Sequence, residues 1–382
     1  FGTSLEASAY MLAFLIPNTI FLFLPGAINA AFIPPLKGFL AKGKTVEAQT
    51  LFQKMVTVTT VIHLLAAGLL WLFAYPMIGL IAGNASLELQ VLAAELLRIM
   101  IPSVVFIAFI SLFSSTLNTH YYFVLPMFGP ILNSGFVILS IYLFVPSYGI
   151  YGLAIGTTGG YAASALLMLP FILKEQYRFT PNWQWQDPEL LKIGENMIPI
   201  LFASVLSSLN EFIEKFLISD FGDDKIAAFG YARQVFQLPL AIFLGSIAIP
   251  LFVLLLDQLK KADWKAAKGT IEKALLSMMM LLVPVSIGFW LLGEQLIVFL
   301  LQRGSFDPTS TKVTSLALVL LGIALFPLAG RDIFTRTFYA LENTRTPVII
   351  GALQMVIYIG AALLLIPVMG FSGVALGFAI GA

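Results

Sequence analysis

The sequence contains no cysteine, only two histidines, and just 11% charged residues over its 382 positions. Without cysteine there is no disulfide framework, thiolate metal site or cysteine nucleophile, and nothing reports on the redox compartment. Two histidines argue against a zinc site, and no metal is expected. Catalytic signatures are missing as well: there is no HExxH, no GxSxG with partners, no Walker loop and no aspartate-rich motif able to hold Mg²⁺ against a prenyl pyrophosphate. No catalytic residue is therefore assigned, no cofactor is expected, and the chain does not read as an enzyme. It contains no soluble domain that could bind ATP, so uphill work would draw on an ion gradient or on the membrane potential, about 2.3 kcal/mol per charge per 100 mV. The formal charge of +1 carries no message about acidic partners, and nucleic acid is not expected. Phe1 follows no basic n-region, so no signal peptide is expected and the start reads as internal to a longer protein.

What is present is apolar sequence. Hydrophobic residues make up 59%, against about 45–50% in soluble domains, more than a soluble fold of this size could hide. The apolar residues fall into runs separated by short polar or Lys-bearing breaks. A helix needs about 20 apolar residues to cross the ~30 Å hydrocarbon layer, and the runs predict spans near 7–35, 52–80, 91–116, 122–145, 151–173, 194–218, 227–256, 272–300, 313–341 and 348–366, with an eleventh, cut short, from 371. Basic residues in the short connections set the orientation. Lys37, Lys42 and Lys44, then Lys174, Arg178 and Lys192, then Lys260, Lys261, Lys265 and Lys268, and finally Arg345 share one face if the spans alternate. The opposite loops carry Glu88, Asp220, Asp223, Asp224 and Asp307 against only Lys225 and Arg303. The lysine-rich face is predicted to be cytoplasmic. Pro17, Pro25, Pro34, Pro239, Pro250, Pro284 and Pro327 inside the runs free backbone carbonyls and predict kinks. Trp71, Trp290, Tyr75, Tyr148 and Tyr151 near span ends read as interfacial anchors.

The chain repeats itself. PSYGIYGLAIG at 146–156 reappears as PVMGFSGVALG at 367–377, a shift of 221; Lys54 and Trp71 map onto Lys273 and Trp290 at 219; Ile33-Pro34 maps onto Ile249-Pro250 at 216; and Asn118-Thr119 echoes Asn343-Thr344. Several matches near one offset predict two homologous halves. A unit of about 220 residues leaves the first half without its opening helix, so each full half holds six spans. An even number returns the chain to its starting side, and the halves run parallel about an axis along the membrane normal. The fold class is thus an all-α polytopic membrane protein of two parallel pseudo-symmetric helical lobes, 1–180 and 181–382, with the first helix and the C-terminal end missing from this chain. That architecture predicts a substrate cavity between lobes that rock to expose it alternately.

An ionisable residue inside a span is expensive and should face protein or water. The candidates are Arg98, Glu211, Glu214, Lys215, Arg233, Glu294, Arg331, Asp332 and Arg336, with His63 as a neutral addition. Glu211 and Lys215 are four apart and can pair locally, which leaves Glu214 unexplained. Arg233, with Gln234 and Gln237 nearby and a proline six residues on, needs an anion, and its rigid fork suits phosphate oxygens; snorkelling to a helix end is the alternative. Asp332 can pair with Arg331 or Arg336. Arg98 and Glu294 lie close to span ends, and His63 reads as a packing residue. Arg233→Ala is expected to reduce transport without unfolding the protein.

The strings FLIPNTIFLFLPGAINAAFIPPL, LNTHYYFVLPMFGPILNSG, GYARQVFQLPLAIFLGSIAIP, LLQRGSFDPTST and FYALENTRTPV resemble, in order and spacing, the MurJ (MviN) lipid II flippases of the multidrug/oligosaccharidyl-lipid/polysaccharide exporter superfamily. LQRGSFD followed by FYALENTRTP is the most specific part. The resemblance implies two six-helix lobes around a cationic cavity in a bacterial inner-membrane protein, which flips undecaprenyl-pyrophosphate-linked peptidoglycan precursor from the inner to the outer leaflet by alternating access. It implies a substrate site of Arg233, Gln234, Asn18, Asn29 and Arg336, ion coupling at Glu214, and membrane lipids and a coupling cation as further partners. This chain departs from the family pattern in places. The arginine usual after IPN is replaced around Phe21 and Leu22. The cation of Tyr231-Ala232-Arg233-Gln234 is shifted by one position, about 100° around a helix. Glu214-Lys215 stands where the family has Asp-Arg, and asparagines of the eleventh helix are replaced by Tyr358 and Ala362, which puts a sodium site in question. Three alternatives stay open: a polysaccharide-unit flippase or drug/cation antiporter of the same superfamily, an intramembrane polyprenyl transferase, and a non-transporting scaffold.

Overall fold

The structure is a computed structural model that describes residues 2–260, 263–341, 343 and 345–382; the side chains at 21–23, 30, 199, 200, 202–208, 243–250, 252, 253, 256, 257 and 260 lie outside the description. Lys261 and Thr344, and the side chains of Phe21, Leu22, Ile249, Pro250 and Lys260 on which expectations were placed, therefore fall outside it.

Every regular element among the described residues is helical: α1 Leu5–Ala41, α2 Thr45–Leu72, α3 Ala74–Ile81, α4 Leu87–Met100, α5 Pro102–Thr119, α6 Val124–Leu143, α7 Val145–Tyr148, α8 Ile150–Lys174, α9 Pro188–Ile218, α10 Asp223–Lys260, α11 Trp264–Leu301, α12 Pro308–Gly322, α13 Leu325–Ala340, α14 Arg345–Met369 and α15 Phe371–Gly381, with one 3-10 turn at Ser219–Phe221. Seven of these helices are long and apolar enough to cross a membrane, or eight when α12 and α13 count as one span bent by 44°. Burial separates their roles: α5 buries 67% of its most apolar window and α6 only 11%. α5 is a core helix, whereas the uncovered leucines and isoleucines of α6 are at home in lipid.

Boundaries differ from those read off polarity. The expected span 91–116 is two helices, because Pro102 at the first position of α5 has no N–H to continue the ladder from α4. The run at 313–341 is likewise interrupted, between Gly322 and Leu325. Conversely α1 runs through Pro17, Pro25, Pro34 and Pro35 without a break, carrying Lys37 inside the helix, so the basic connection shrinks to residues 42–44. Its 37 residues extend about 55 Å at 1.5 Å per residue, well beyond the ~30 Å hydrocarbon layer.

The repeat is visible in backbone detail. Gly149 and Gly370, 221 positions apart, both adopt positive φ, +54° and +57°, a conformation a Cβ would strain. Each opens a helix with a glycine at every fourth position, Gly152, Gly156 and Gly160 in α8 and Gly373, Gly377 and Gly381 in α15. The stripe lets one backbone lie directly on its neighbour. A Cβ on Gly160 would stand 2.9 Å from the Asn133 Cα of α6, and one on Gly377 2.8 Å from the Ala362 Cα of α14.

Contacts divide the chain into two compact units, 9–209 and 1–8 with 210–382. The division falls inside α1 and α9, whereas the sequence reading puts it at 180. In the second unit, residues 2–8 are bound to later helices: Ser8 Oγ donates to the Asp223 carbonyl and accepts from Ala227 N at 3.2 Å, and Thr3 Oγ1 lies 2.5 Å from Ser310 Oγ. In the first unit, the connection 175–187 is held onto α2. Lys54, only 7% exposed, donates to Asp187 at 2.6 Å, and Thr57 Oγ1 accepts from Asn182 N. Glu175 accepts from Tyr122 OH at 2.9 Å and lies 3.2 Å from His120 Nδ1. Lys273, the repeat partner of Lys54, is exposed, so this clamp belongs to one half only.

The hydrogen bond from Lys54 holds the Asp187 carboxyl below its usual range, helped by the Leu190 N–H. A carboxylate lowered on folding stabilises the fold above its unfolded pKa, about 3.9, and loses that contribution as pH falls below it. Asp187→Asn is expected to cost about 1–3 kcal/mol at neutral pH by leaving the Lys54 ammonium buried without its charge partner, and to flatten the acid limb of a thermal-stability profile between pH 5 and 3. A variant with the parent's midpoint at pH 7 would show that the clamp contributes nothing.

Candidate functional site

The ionisable residues that the sequence places deep in spans converge in the unit containing 210–382. α9 supplies Asn210, Glu211, Glu214 and Lys215; at 100° per residue Asn210 and Glu214 share one face and Glu211 and Lys215 the adjoining one. α10 supplies Arg233, α14 supplies Gln354 and Tyr358 one turn apart, and α15 supplies Phe378.

Glu214 is buried to 1% side-chain exposure, and Arg233 Nη1 donates to its Oε2. Glu211 Oε1 lies 3.8 Å from Arg233 Nη2. The guanidinium also rests on the Phe378 ring, 5.1 Å from its centroid, and Phe378 packs edge-on against Tyr358 and Phe236. Lys215 is buried beside them. Two carboxylates and two cations make the cluster formally neutral, the condition under which charges tolerate burial.

The cluster nevertheless retains unused hydrogen-bonding capacity. Asn210 Oδ1, Glu214 Oε1, Arg233 Nε and Tyr358 OH are all buried with no partner among the described residues. Unsatisfied buried polar atoms are rare and call for an explanation. Four on adjoining helices can receive a water, a small polar group or a substrate oxygen. Among the described residues there is no group of three or more His, Cys, Asp or Glu arranged for a metal. Oxygen donors are present, but Arg233 already holds the positive charge beside Glu214. The residues therefore fit a bound cation poorly while this pair is intact.

The other sequence-derived residues are distributed. Gln234 is exposed on α10, next to Arg233 in sequence but not on its buried face. Arg336 Nε donates to Asp332 Oδ2 at 2.7 Å, while Arg331 donates to Gln354 instead; of the two arginines open to Asp332, the i+4 residue takes it. Asn29 lies in the unit 9–209, where its Oδ1 accepts from Ser115 Oγ at 2.6 Å, and Asn18 is half-buried on α1 of the same unit. His63 Nδ1 donates to the Thr59 carbonyl at 2.8 Å, the satisfied packing role. Arg98 lies over Trp71 at a span end, 5.2 Å from the ring.

Sequence reasoning assigned Arg233 and Glu214 to separate tasks, and the structure joins them. The joining alters the expectation that Arg233→Ala is innocuous to folding, because it would strand a buried carboxylate. Asn210 and the Arg331–Gln354 bond were missed. Asn210 was discoverable one turn before Glu214, whereas Gln354 gave no signal, being a neutral residue in an apolar run.

The family model described as "Lipid II flippase MurJ" matches residues 1–382. A probable lipid II flippase MurJ of Vibrio cholerae serotype O1 is 28% identical over 372 residues, covering 93% of this chain and 70% of the relative. Among solved structures, a lipid II flippase MurJ in an inward closed conformation has a TM-score of 0.85 at 24% identity, over 99% of this chain and 79% of the other. An inward-facing multidrug resistance MATE family transporter of the MOP superfamily has a TM-score of 0.82 at 17% identity, over 100% and 88%.

Proposed function

The chain belongs to the lipid II flippase MurJ family, and from that premise we propose that it carries lipid II from the inner to the outer leaflet by alternating access. It is a transporter rather than an enzyme, a multi-pass protein of the bacterial inner membrane, and its substrate is a polyprenyl-linked lipid. The observation that carries the reading is the family match along all 382 residues; the Arg233 guanidinium, paired with the buried Glu214, supports it.

In this reading Arg233 binds the pyrophosphate, with Gln234 and Arg336 of the same unit as further polar contacts. Its planar fork forms two parallel N–H···O bonds to phosphate oxygens. Those donors are engaged with Glu214 and Glu211, so pyrophosphate competes with the carboxylates. When the guanidinium moves to the phosphate, Glu214 loses its neutralising partner in a buried site and must take up a proton or a cation. Substrate binding and charge uptake are thereby linked at one pair, and an external coupling cation gains its carboxylate only after Arg233 has left. This arrangement disfavours the drug/cation antiporter, which needs a carboxylate free to meet a cationic drug.

The test is depletion in cells that rely on this protein alone. Lipid II is expected to accumulate on the cytoplasmic leaflet, read by its accessibility to an externally added headgroup-modifying reagent. An unchanged leaflet distribution after depletion overturns the assignment.

A further inference from the structure

The ion pairs inside the unit containing 210–382 leave one charge over. Glu211 and Glu214 balance Arg233 and Lys215, and Asp332 is taken by Arg336 at 2.7 Å. Arg331, next to Asp332 on α13, has no carboxylate within ion-pair distance among the described residues; its acceptor is Oε1 of Gln354, a neutral amide only 7% exposed on α14. Glu294 is exposed near the end of α11 and makes no ion pair with it.

Depth, geometry and position make this leftover charge a binding group. Arg331 stands nine positions before Ala340 at the end of α13, and Gln354 nine after Arg345 at the start of α14, about 14 Å along each helix from the end that carries the basic connection. A guanidinium so far in cannot snorkel out, and an uncompensated one is expensive there unless an anion visits it. Gln354 engages Nη1, so the Nε–Nη2 edge, which suits paired bonds to phosphate oxygens, has no acceptor among the described residues. Gln354 also lies one turn from Tyr358, whose ring packs against the Phe378 on which Arg233 rests. The Glu211, Glu214, Lys215 and Arg233 cluster is formally neutral and attracts an anion weakly until Arg233 is drawn off its carboxylates. Arg331 attracts one from the start.

We propose that Arg331, steadied by Gln354, is a second pyrophosphate-binding residue, the one whose open charge draws the anion toward the Glu214–Arg233 pair from the basic face. The proposal rests on the reading that the carried lipid bears a pyrophosphate. The neutrality of Gln354 is essential to it: an acidic residue at that position would hold the guanidinium as firmly and cancel its charge.

The experiment titrates the purified protein, in non-ionic detergent, with lipid II and reads the dissociation constant together with the thermal midpoint of the same samples. Arg331→Gln strands no carboxylate and should weaken binding about ten-fold. Gln354→Glu should weaken it as much while its midpoint equals or exceeds the parent's, because the bond to Arg331 is kept and gains a charge partner. A purely structural role for the pair predicts the opposite, parent-like binding in Gln354→Glu. Parent affinity in either variant overturns the proposal. Arg233→Lys distinguishes this from the reading beneath it. If that variant binds more weakly and the other two do not, only the role of Arg331 falls; if the parent protein itself fails to bind lipid II, the pyrophosphate reading falls with it.

Discussion

Arg233→Ala is expected to abolish lipid II transport and also to destabilise the unit containing 210–382 by about 3–5 kcal/mol, the cost of removing one partner from a buried ion pair. Glu214, with 1% of its side chain exposed, would be left to ionise without its guanidinium or to take up a proton. Loss of transport in this variant alone would therefore be ambiguous. The Arg233→Ala/Glu214→Gln double variant separates the two effects, because the stranded charge is gone. Its thermal midpoint should return most of the way to the parent value, while transport stays absent because nothing binds pyrophosphate. A double variant that regains both stability and flipping would show that the pair is structural and would remove Arg233 from the substrate site. Arg233→Lys is informative beside it: the charge is kept and the fork is lost, so the fold should survive and the apparent substrate affinity fall.

The second large effect is expected at Gly377. An alanine there places its Cβ 2.8 Å from the Cα and backbone N of Ala362, and backbone cannot swing aside as a side chain can. α14 and α15 must separate along the whole Gly373, Gly377 and Gly381 stripe, shifting Tyr358, whose Cβ would lie 2.9 Å from a Cβ on Gly381. Overpacking costs about 1–3 kcal/mol even where side chains yield, and more is expected here. Gly360 is the control on α14: a Cβ there meets nothing within 4 Å, and Gly360→Ala should be neutral or stabilising by about 0.5–1 kcal/mol. Thermal unfolding of the purified variants measures both. Equal midpoints for Gly377→Ala and Gly360→Ala would show that the close approach of α14 and α15 carries no energy.

Much of the architecture was legible because membrane helices obey a one-dimensional rule. Hydrocarbon supplies no hydrogen bonds, so a spanning segment must satisfy its backbone internally and announces itself as an apolar run. The recurrence of PSYGIYGLAIG as PVMGFSGVALG likewise pointed to a duplicated element, and the two positive-φ glycines at Gly149 and Gly370 bear it out. Helix ends were read less well. Polarity marks where the bilayer stops, not where the helix does, so α1 passes through Lys37, and the spans at 91–116 and 313–341 divide at places set by a proline and a bend.

The sequence by itself determined that the chain is helical, duplicated and membrane-embedded, and that Glu214 and Arg233 are costly enough in an apolar run to demand a reason. Each of those properties is local in the chain, a matter of composition, spacing and transfer energy. Only the tertiary structure decided that the two residues answer one another, that Phe378 and Tyr358 enclose them, that Arg336 rather than Arg331 takes Asp332, and that Lys54 clamps Asp187 while its repeat partner stays exposed. Such pairings join residues far apart in the chain, 133 positions for Lys54 and Asp187, and the energy of a buried charge depends on what packs against it, which no single helix specifies.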